Sequence, residues 1–350
     1  MENNTAKKKS FCIGRALKRA GVFVLITLLA LAAVLFGVVY VMEKGPSPTM
    51  TAVFCRSMRE TSAIRWIPDI FLSEEEIAAL KSESTETMET EAVNTSLIHI
   101  AENIDAGEES ENDGLELIDI SEGTLKGKLL IVRDPKRVIL GTSDNLGKQA
   151  GMQLTELTAK YNAVAGINAG GFNDENGHGN GGIPQGLVIC GGELVWGKRD
   201  ALYNMVGLDG DGILQVGTMT GEEALARGVT DAVSFVTHDG LASALIINGV
   251  IQQQNMASGV NPRTAIGQRE DGALLLLVLD GRSVNTLGAT MENICEVMFE
   301  YGAVNAGNLD GGSSSVMVYE GEIINSCASV TGPRNIPTAF VVLPEGQDHE

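Results

Sequence analysis

Arg263-Thr264-Ala265-Ile266-Gly267-Gln268-Arg269-Glu270-Asp271-Gly272-Ala273-Leu274-Leu275-Leu276-Leu277-Val278-Leu279-Asp280-Gly281-Arg282 reads as two strands folded back on each other. Thr264–Gly267 and Ala273–Leu279 flank a turn ending in Asp271-Gly272, a dipeptide that tolerates a tight reversal. The second run carries no polar residue, as a buried strand requires. The same grammar recurs on both sides. Leu187–Ile189 and Leu194–Trp196 flank Gly191-Gly192; Leu245–Ile247 and Val250–Gln252 flank Asn248-Gly249; Val316–Tyr319 and Glu322–Ile324 flank Glu320-Gly321. Leu129–Val132, Arg137–Leu140, Val164–Asn168 and Thr338–Leu343 read as further strands. Helical spacing appears at Gln153–Tyr161 and at Thr290–Tyr301, the latter closed by Gly302. Hairpins interrupted by a few helices predict an α+β class: a mixed, hairpin-rich β-sheet with a few packed helices, as one domain over 115–346.

Ahead of that domain the texture differs. Ala20–Met42 is an uncharged run long enough to cross the ~30 Å apolar layer of a bilayer. A cleaved signal peptide carries a shorter apolar region and a small-x-small site after it. Here the run ends in Val-Val-Tyr-Val-Met, so the sequence predicts one retained transmembrane helix. Lys7, Lys8, Lys9, Arg15, Lys18 and Arg19 precede it, which predicts residues 1–19 as a cytoplasmic basic tail and the rest outside a cell membrane. Residues 43–114 read as a juxtamembrane segment and an acidic linker. Within it Ser73-Glu74-Glu75-Glu76 is a capping box opening a short helix to about Lys81. From Ser82 to Gly114 there is no Lys or Arg, which predicts a mainly flexible, solvated linker, with Leu97-Ile98-His99-Ile100 as a strand candidate inside it.

Charge narrows the partners. Residues 1–42 hold six bases and one acid, so the remainder carries 19 bases and 44 acids. Such a domain excludes nucleic-acid binding through its bulk field, and an anionic substrate requires local positive charge at its site. The cysteines, Cys12, Cys55, Cys190, Cys295 and Cys327, show no CxxC spacing, so neither a zinc cluster nor a redox motif is indicated. Disulfides are permitted outside the cell but not demanded, and Cys295 fits the core face of a helix.

Three glycine-rich segments place polar groups at the ends of apolar runs. They are Gly166-Ile167-Asn168-Ala169-Gly170-Gly171-Phe172-Asn173, Asn261-Pro262-Arg263 with Asp280-Gly281-Arg282 after the next strand, and Asn305-Ala306-Gly307-Asn308-Leu309-Asp310-Gly311-Gly312-Ser313-Ser314-Ser315. Strand ends are rigid, and glycine lets backbone N–H groups approach an anion. Any one of these is explained equally by turn chemistry. Ser313, Ser314 and Ser315 do not form a Gly-x-Ser-x-Gly elbow, and Asp209-Gly210-Asp211-Gly212 lacks the twelfth-position Glu of a calcium loop, where Thr220 stands. His99, His178 and His238 lie in polar or edge positions outside these segments.

Taken together, in order and spacing, the motifs resemble the phosphodiester glycosidase family. The resemblance runs from about Leu115 to Pro344 through Asn168–Phe172, Arg263–Gly267, Asp280–Arg282 and Asn308–Ser315; Ala169 is an insertion in the first motif, and Ser313 replaces a frequent Gly. The apolar helix also resembles membrane-tethered bacterial members associated with exopolysaccharide. The family reaction it implies is hydrolysis of a sugar-1-phosphodiester at the anomeric carbon, on a cell-surface glycan or polymer. Phosphate leaves without a strong general acid, so the chemistry asks for a carboxylate base or nucleophile and a cation for the phosphate. Asp280 and Asp310 are the carboxylate candidates and Arg263 the phosphate clamp, its planar fork suited to bidentate binding. Asn168, Gly170, Gly171, Thr264, Arg282, Asn308, Gly311, Gly312, Ser313 and Arg334 are the candidate substrate-binding residues. No cofactor is required by the sequence; a divalent cation is compatible with it, and no ligand set names its site. The alternative is a non-catalytic glycan-binding or exopolysaccharide-export accessory protein on the same fold.

Overall fold

The computed structural model describes residues 2–60, 64–80, 91–100, 113–144, 146–174, 179–235, 243–252, 258–281, 286–327 and 332–346, with side chains from residue 18 onward. Three antiparallel sheets build an α+β fold, with six α-helices among the described residues. The largest sheet orders β1 (Leu115–Glu122), β2 (Leu125–Val132), β13 (Leu274–Leu279), β12 (Arg263–Arg269), β14 (Ala303–Asn308), β10 (Ala244–Ile247) and β11 (Val250–Ile251). The second orders β16 (Glu322–Ile323), β15 (Met317–Tyr319), β4 (Ala165–Asn168), β17 (Thr338–Val342) and β3 (Val138–Thr142). The third orders β6 (Glu193–Trp196), β5 (Val188–Cys190), β9 (Val229–Ser234), β7 (Leu202–Asp209) and β8 (Leu214–Thr220).

One core lies where the inner faces of the three sheets meet; it includes Leu130, Leu140, Ile167, Val206, Val233, Ile266 and Phe340. Each outer face is covered separately. Helix α6 (Met291–Glu300) packs on the large sheet, α4 (Leu154–Lys160) on the second and α5 (Gly221–Ala226) on the third. Strand β13 shows why its sequence is continuously apolar. Leu274, Leu276 and Val278 enter the central core, whereas Leu275, Leu277 and Leu279 face α6, so neither side of the strand meets water. Leu276→Ala should therefore lower unfolding free energy by ~2–5 kcal/mol, read from denaturant titration, with the cavity accounting for the spread. Cys295 is sealed against the same face, and burial pushes its thiol up to about 12.

Helix α1 (Glu2–Lys44) contains the one segment, Lys18–Lys44, long and apolar enough to cross a membrane among the described residues. A second helix, α2 (Pro48–Arg59), follows where the sequence suggested only a juxtamembrane stretch. Ser47 accepts from the Met50 N–H and Pro48 occupies the first turn, signals that also suit a linker. The two helices are tied by Thr51 Oγ1 donating to Met42 O (3.0 Å), and the Phe71 ring stands edge-on to Phe36 and Tyr40. The capping box forms as read: Ser73 opens α3 (Glu74–Ala79), and Glu76 pairs with Lys44 at 2.5 Å.

Part of the supposed linker is docked. The Asn94 N–H donates to Asn248 Oδ1 (2.7 Å), the His99 N–H to Glu270 O (2.7 Å), and Ile98 is buried. Leu97–Ile100 does not form a strand. Thr95–Leu97 is a 3-10 turn capped by Asn94, and the segment is anchored by buried Ile98 and by Val93, which packs against the central core. Residues 82–90 and 101–112 of that stretch lie outside the described residues.

Candidate functional site

Antiparallel pairing gathers the motifs at one end of the large sheet. Arg263 opens β12 and pairs with Leu279, so Asp280 follows the end of the neighbouring β13; Ala265 pairs with Asn308, so Asp310 follows closely on the end of β14. The second sheet meets this end through β4, whose last residue is Asn168.

Asn168 is the joint between the sheets. It is buried to 1% exposure, donates from Nδ2 to Asp310 O (2.6 Å), and accepts at Oδ1 from Thr264 Oγ1 (2.8 Å) and from the Val316 N–H (3.1 Å). Three of the four motifs are thereby fixed by one amide. The Asp310 N–H donates to Ala169 O and the Leu309 N–H to Thr264 O, both at 2.9 Å. Past Asn168 the chain packs too closely for a side chain: a Cβ on Gly171 would stand 2.8 Å from Gln185 Oε1, and one on Gly170 would stand 2.9 Å from Val233 Cβ. Gly312 instead meets open space but has φ +63, a left-handed turn that glycine adopts cheaply. Ser313 sits in the 3-10 turn Gly312–Ser314, and Gly311 precedes it.

Around Asp310 stand Ser314, Arg334 and Asp174. Burial raises the Asp310 carboxyl to about 7; the Ser314 side chain, the Arg334 charge and the Gly311 N–H oppose that shift, and Asp174 adds to it. The residue keeps a partly exposed edge, yet removal from water is the largest effect. Arg334 is fixed by a bidentate pair with Asp174 (2.5 and 2.9 Å), donates to Gly179 O (2.9 Å), and lies over the Phe172 ring at 4.9 Å. Asp174 was not among the residues singled out from sequence. It stands two residues beyond Phe172 of the first motif, a proximity that does not by itself reveal the pairing.

Arg263 has a different partner. Its Nη2 donates to Glu60 Oε2 (2.6 Å) and to Gly259 O (2.7 Å), and its Nε to Ala289 O (3.3 Å). Both side chains of the ion pair are buried, at 6% and 9% exposure. Glu60 also escaped the sequence reading, lying 203 residues from its partner. Asp280 is partly exposed; its Oδ1 accepts from the Ser326 N–H (2.9 Å), and its own N–H donates to Lys126 O (2.8 Å). The structure thus joins Asp310 with Arg334, and Arg263 with Glu60, at one strand end, while the Asp280 carboxylate is engaged by the chain after β16. Arg282, His178 and His238 lie outside the described residues, and His99 is exposed beside Glu270.

Asn308 is 1% exposed, and among the described residues neither atom of its side-chain amide finds a partner, nor does the buried Ser315 Oγ. Such groups are normally satisfied by water or a ligand. Among the described residues no three His, Cys, Asp or Glu side chains cluster as a metal site. Two cavities, of about 720 and 590 Å³, open at the opposite ends of the strands, one lined by Arg269, Tyr301 and Gly302, the other by Val138, Asp209 and Thr230. Neither contains a motif residue.

A family model described as phosphodiester glycosidase matches residues 161–343, just over half the chain. A solved structure with a TM-score of 0.55 and 21% identity, covering 67% of this chain and 85% of its own, is the zebrafish N-acetylglucosamine-1-phosphodiester alpha-N-acetylglucosaminidase catalytic domain, auto-inhibited by its pro-peptide. At that identity it establishes likeness of fold. A hypothetical protein from Synechocystis matches at a TM-score of 0.47 with 16% identity, covering 67% of this chain and 62% of its own. The SPbeta prophage-derived uncharacterized protein YomE of Bacillus subtilis (strain 168) is 36% identical over 85 residues, which span 24% of this chain and only 13% of that relative.

Proposed function

The chain belongs to the phosphodiester glycosidase family, and from that premise we propose that it hydrolyses a sugar-1-phosphodiester at the anomeric carbon. The observation that supports this most is the meeting of Asp310, with its raised carboxyl, and the fixed Arg334 at a strand end built from family motifs. In the reaction the bond between C1 and the phosphate oxygen breaks, and the phosphate monoester departs with the bonding electrons. Asp310 either takes the proton of the attacking water or attacks C1 itself; Asp280 is the second carboxylate candidate at the same strand end. Arg334 offsets the charge that Asp310 gains on ionising, and Arg263 is the clamp for the phosphate. Asn168, Thr264 and Asn308 shape the floor, while Gly170, Gly171, Gly311, Gly312 and Ser313 bring backbone close to the sugar and phosphate; Arg282 stays a substrate-binding candidate from its motif alone.

The apolar helix is read as a retained single-pass anchor in a cell membrane. The bases before it support a reading with the N-terminus in the cytoplasm and the domain outside, facing a cell-surface glycan or polymer, exopolysaccharide included. The accessory-protein reading draws on one observation: the guanidinium of Arg263 is already paired and buried.

The decisive assay incubates the full chain in detergent with UDP-N-acetylglucosamine or a methyl phosphodiester of a sugar 1-phosphate, and measures free sugar. Release is expected, rising with pH along a limb centred near 7, because Asp310 is active when ionised and burial raises it to about 7. Its stability effect has the opposite direction. The folded carboxyl lies above its ordinary 3.8, so its contribution is complete below that value and is lost as pH rises through about 7. A folded chain that releases nothing from several such sugars would favour the accessory reading.

A further inference from the structure

Glu60 is held as a bound anion would be. Its Oε1 accepts from the Gly259 N–H (2.8 Å), and its Oε2 accepts from Asn261 Nδ2 (2.5 Å) and Arg263 Nη2 (2.6 Å). All three donors come from the five residues leading into β12, and none from the helix that delivers the carboxylate. The guanidinium is oriented independently of Glu60 by Gly259 O and Ala289 O. Segment 259–263 therefore supplies a three-donor cradle whose guanidinium is set by the domain, and its donor set suits a phosphate as well as a carboxylate.

The cradle also borders the other half of the site. The Gly312 N–H donates to Pro262 O (2.9 Å), and a Cβ on Gly311 would stand 2.9 Å from that same oxygen and 3.9 Å from Arg263 Cδ. On β14, Asn308, with its unpartnered amide, pairs with Ala265, which lies two residues along β12 from Arg263 and so on the same face of the sheet. An anion in the cradle would lie beside the turn that follows Asp310.

We propose that the cradle of Gly259, Asn261 and Arg263 is the phosphate subsite, and that Glu60 is an intramolecular competitor that must withdraw before a phosphodiester can enter. The inference rests on the hydrolase reading for the identity of its ligand. Helix α2 delivers the competitor: the Val260 N–H donates to Ser57 Oγ (2.8 Å), and the loop lies so close that a Cβ on Gly259 would be 2.4 Å from Ser57 N. A buried ion pair contributes little net stability once the desolvation of both charges is counted, so exchange of one anion for another is energetically accessible. Because α2 is bonded to the end of α1 through Thr51 and Met42, withdrawal of Glu60 is linked to how the apolar helix meets the domain.

The test uses the full chain in detergent micelles, inorganic phosphate as the probe, calorimetric binding, and two variants. Glu60→Gln keeps the side-chain volume and removes the charge. Gly259→Ala keeps every donor of the cradle but forces α2 away. Phosphate should bind both variants about tenfold or more tighter than the parent chain, since a tethered competitor reduces apparent affinity by its own occupancy. Sugar release at low substrate should rise by a similar factor. Unchanged or weaker phosphate binding in both variants overturns the proposal, as does loss of binding together with a fall in thermal midpoint, which marks Glu60 as a structural brace. Tighter phosphate binding without sugar release from any variant leaves the cradle standing and removes the hydrolase reading. Sugar release by the parent chain with phosphate binding indifferent to both substitutions does the reverse.

Discussion

Asp310→Asn should lower kcat by about 10²–10⁴-fold while leaving KM within a small factor, measured as sugar release from a sugar-1-phosphodiester. The substitution keeps the shape and the acceptor oxygen toward Ser314 and the Gly311 N–H, so the turn over Gly312–Ser314 has no reason to move. What disappears is a group able to hold a proton or attack carbon. The leaving phosphate needs little protonation, so the barrier falls mainly on generating the nucleophile, and an amide cannot help there. The same variant gives an independent reading. Because burial raises the Asp310 carboxyl to about 7, its ionisation opposes folding above that pH, and the asparagine chain should melt higher than the parent at pH 8 but not at pH 4. Retention of kcat within about threefold would move the base or nucleophile role to Asp280, whose carboxylate is held by the Ser326 N–H at the same strand end.

Much of the fold was legible because hairpins announce themselves locally. Asn248-Gly249 and Glu320-Gly321 both occupy paired left-handed conformations, with φ 53 and 78 in the first and 51 and 81 in the second, the geometry that a two-residue turn imposes. The continuous apolar run of β13 likewise announced burial on both faces. The third sheet was largely silent except for its Gly191-Gly192 hairpin. Its strands β7, β8 and β9 interrupt their apolar pattern with Asn204, Gln215 and Asp231, which are buried because they satisfy one another or a neighbouring strand. Thr218 Oγ1 donates to Asn204 Oδ1, Gln215 Nε2 to Asp209 Oδ2, and the Leu140 N–H to Asp231 Oδ1. A polar residue with a partner on another strand looks, in one dimension, like a solvent position.

The candidate site rests on motif residues that the sequence shows and on pairings that it does not. Asp310 and Arg334 were both in view, but nothing in either segment says that Asp174 bridges the arginine from 160 residues away. Glu60 lies in a segment whose composition suggests a spacer. Its role depends on α2 reaching the loop before β12, which no local pattern encodes.

Asn168→Ala should be the most damaging single change outside the charged residues, because it removes three hydrogen bonds at once and leaves their partners buried. Thr264 Oγ1, the Val316 N–H and Asp310 O all lose a partner, and Thr264 is fully enclosed. Each orphaned buried group costs roughly 1–3 kcal/mol, so a combined loss of about 3 kcal/mol or more is expected in denaturant titration. Asn168→Asp separates stability from positioning. One oxygen can still accept from Thr264 and Val316, but the second replaces an N–H donor 2.6 Å from the Asp310 carbonyl with a charged oxygen. That repulsion acts on the backbone that aims the Asp310 carboxylate, and the added negative charge nearby pushes that carboxyl further up. The aspartate variant should therefore shift the rising limb of the pH–rate profile to higher pH, a displacement that a merely destabilised but correctly aimed site would not show. An unshifted limb, with kcat falling only in proportion to the unfolded fraction, would reduce Asn168 to a packing residue.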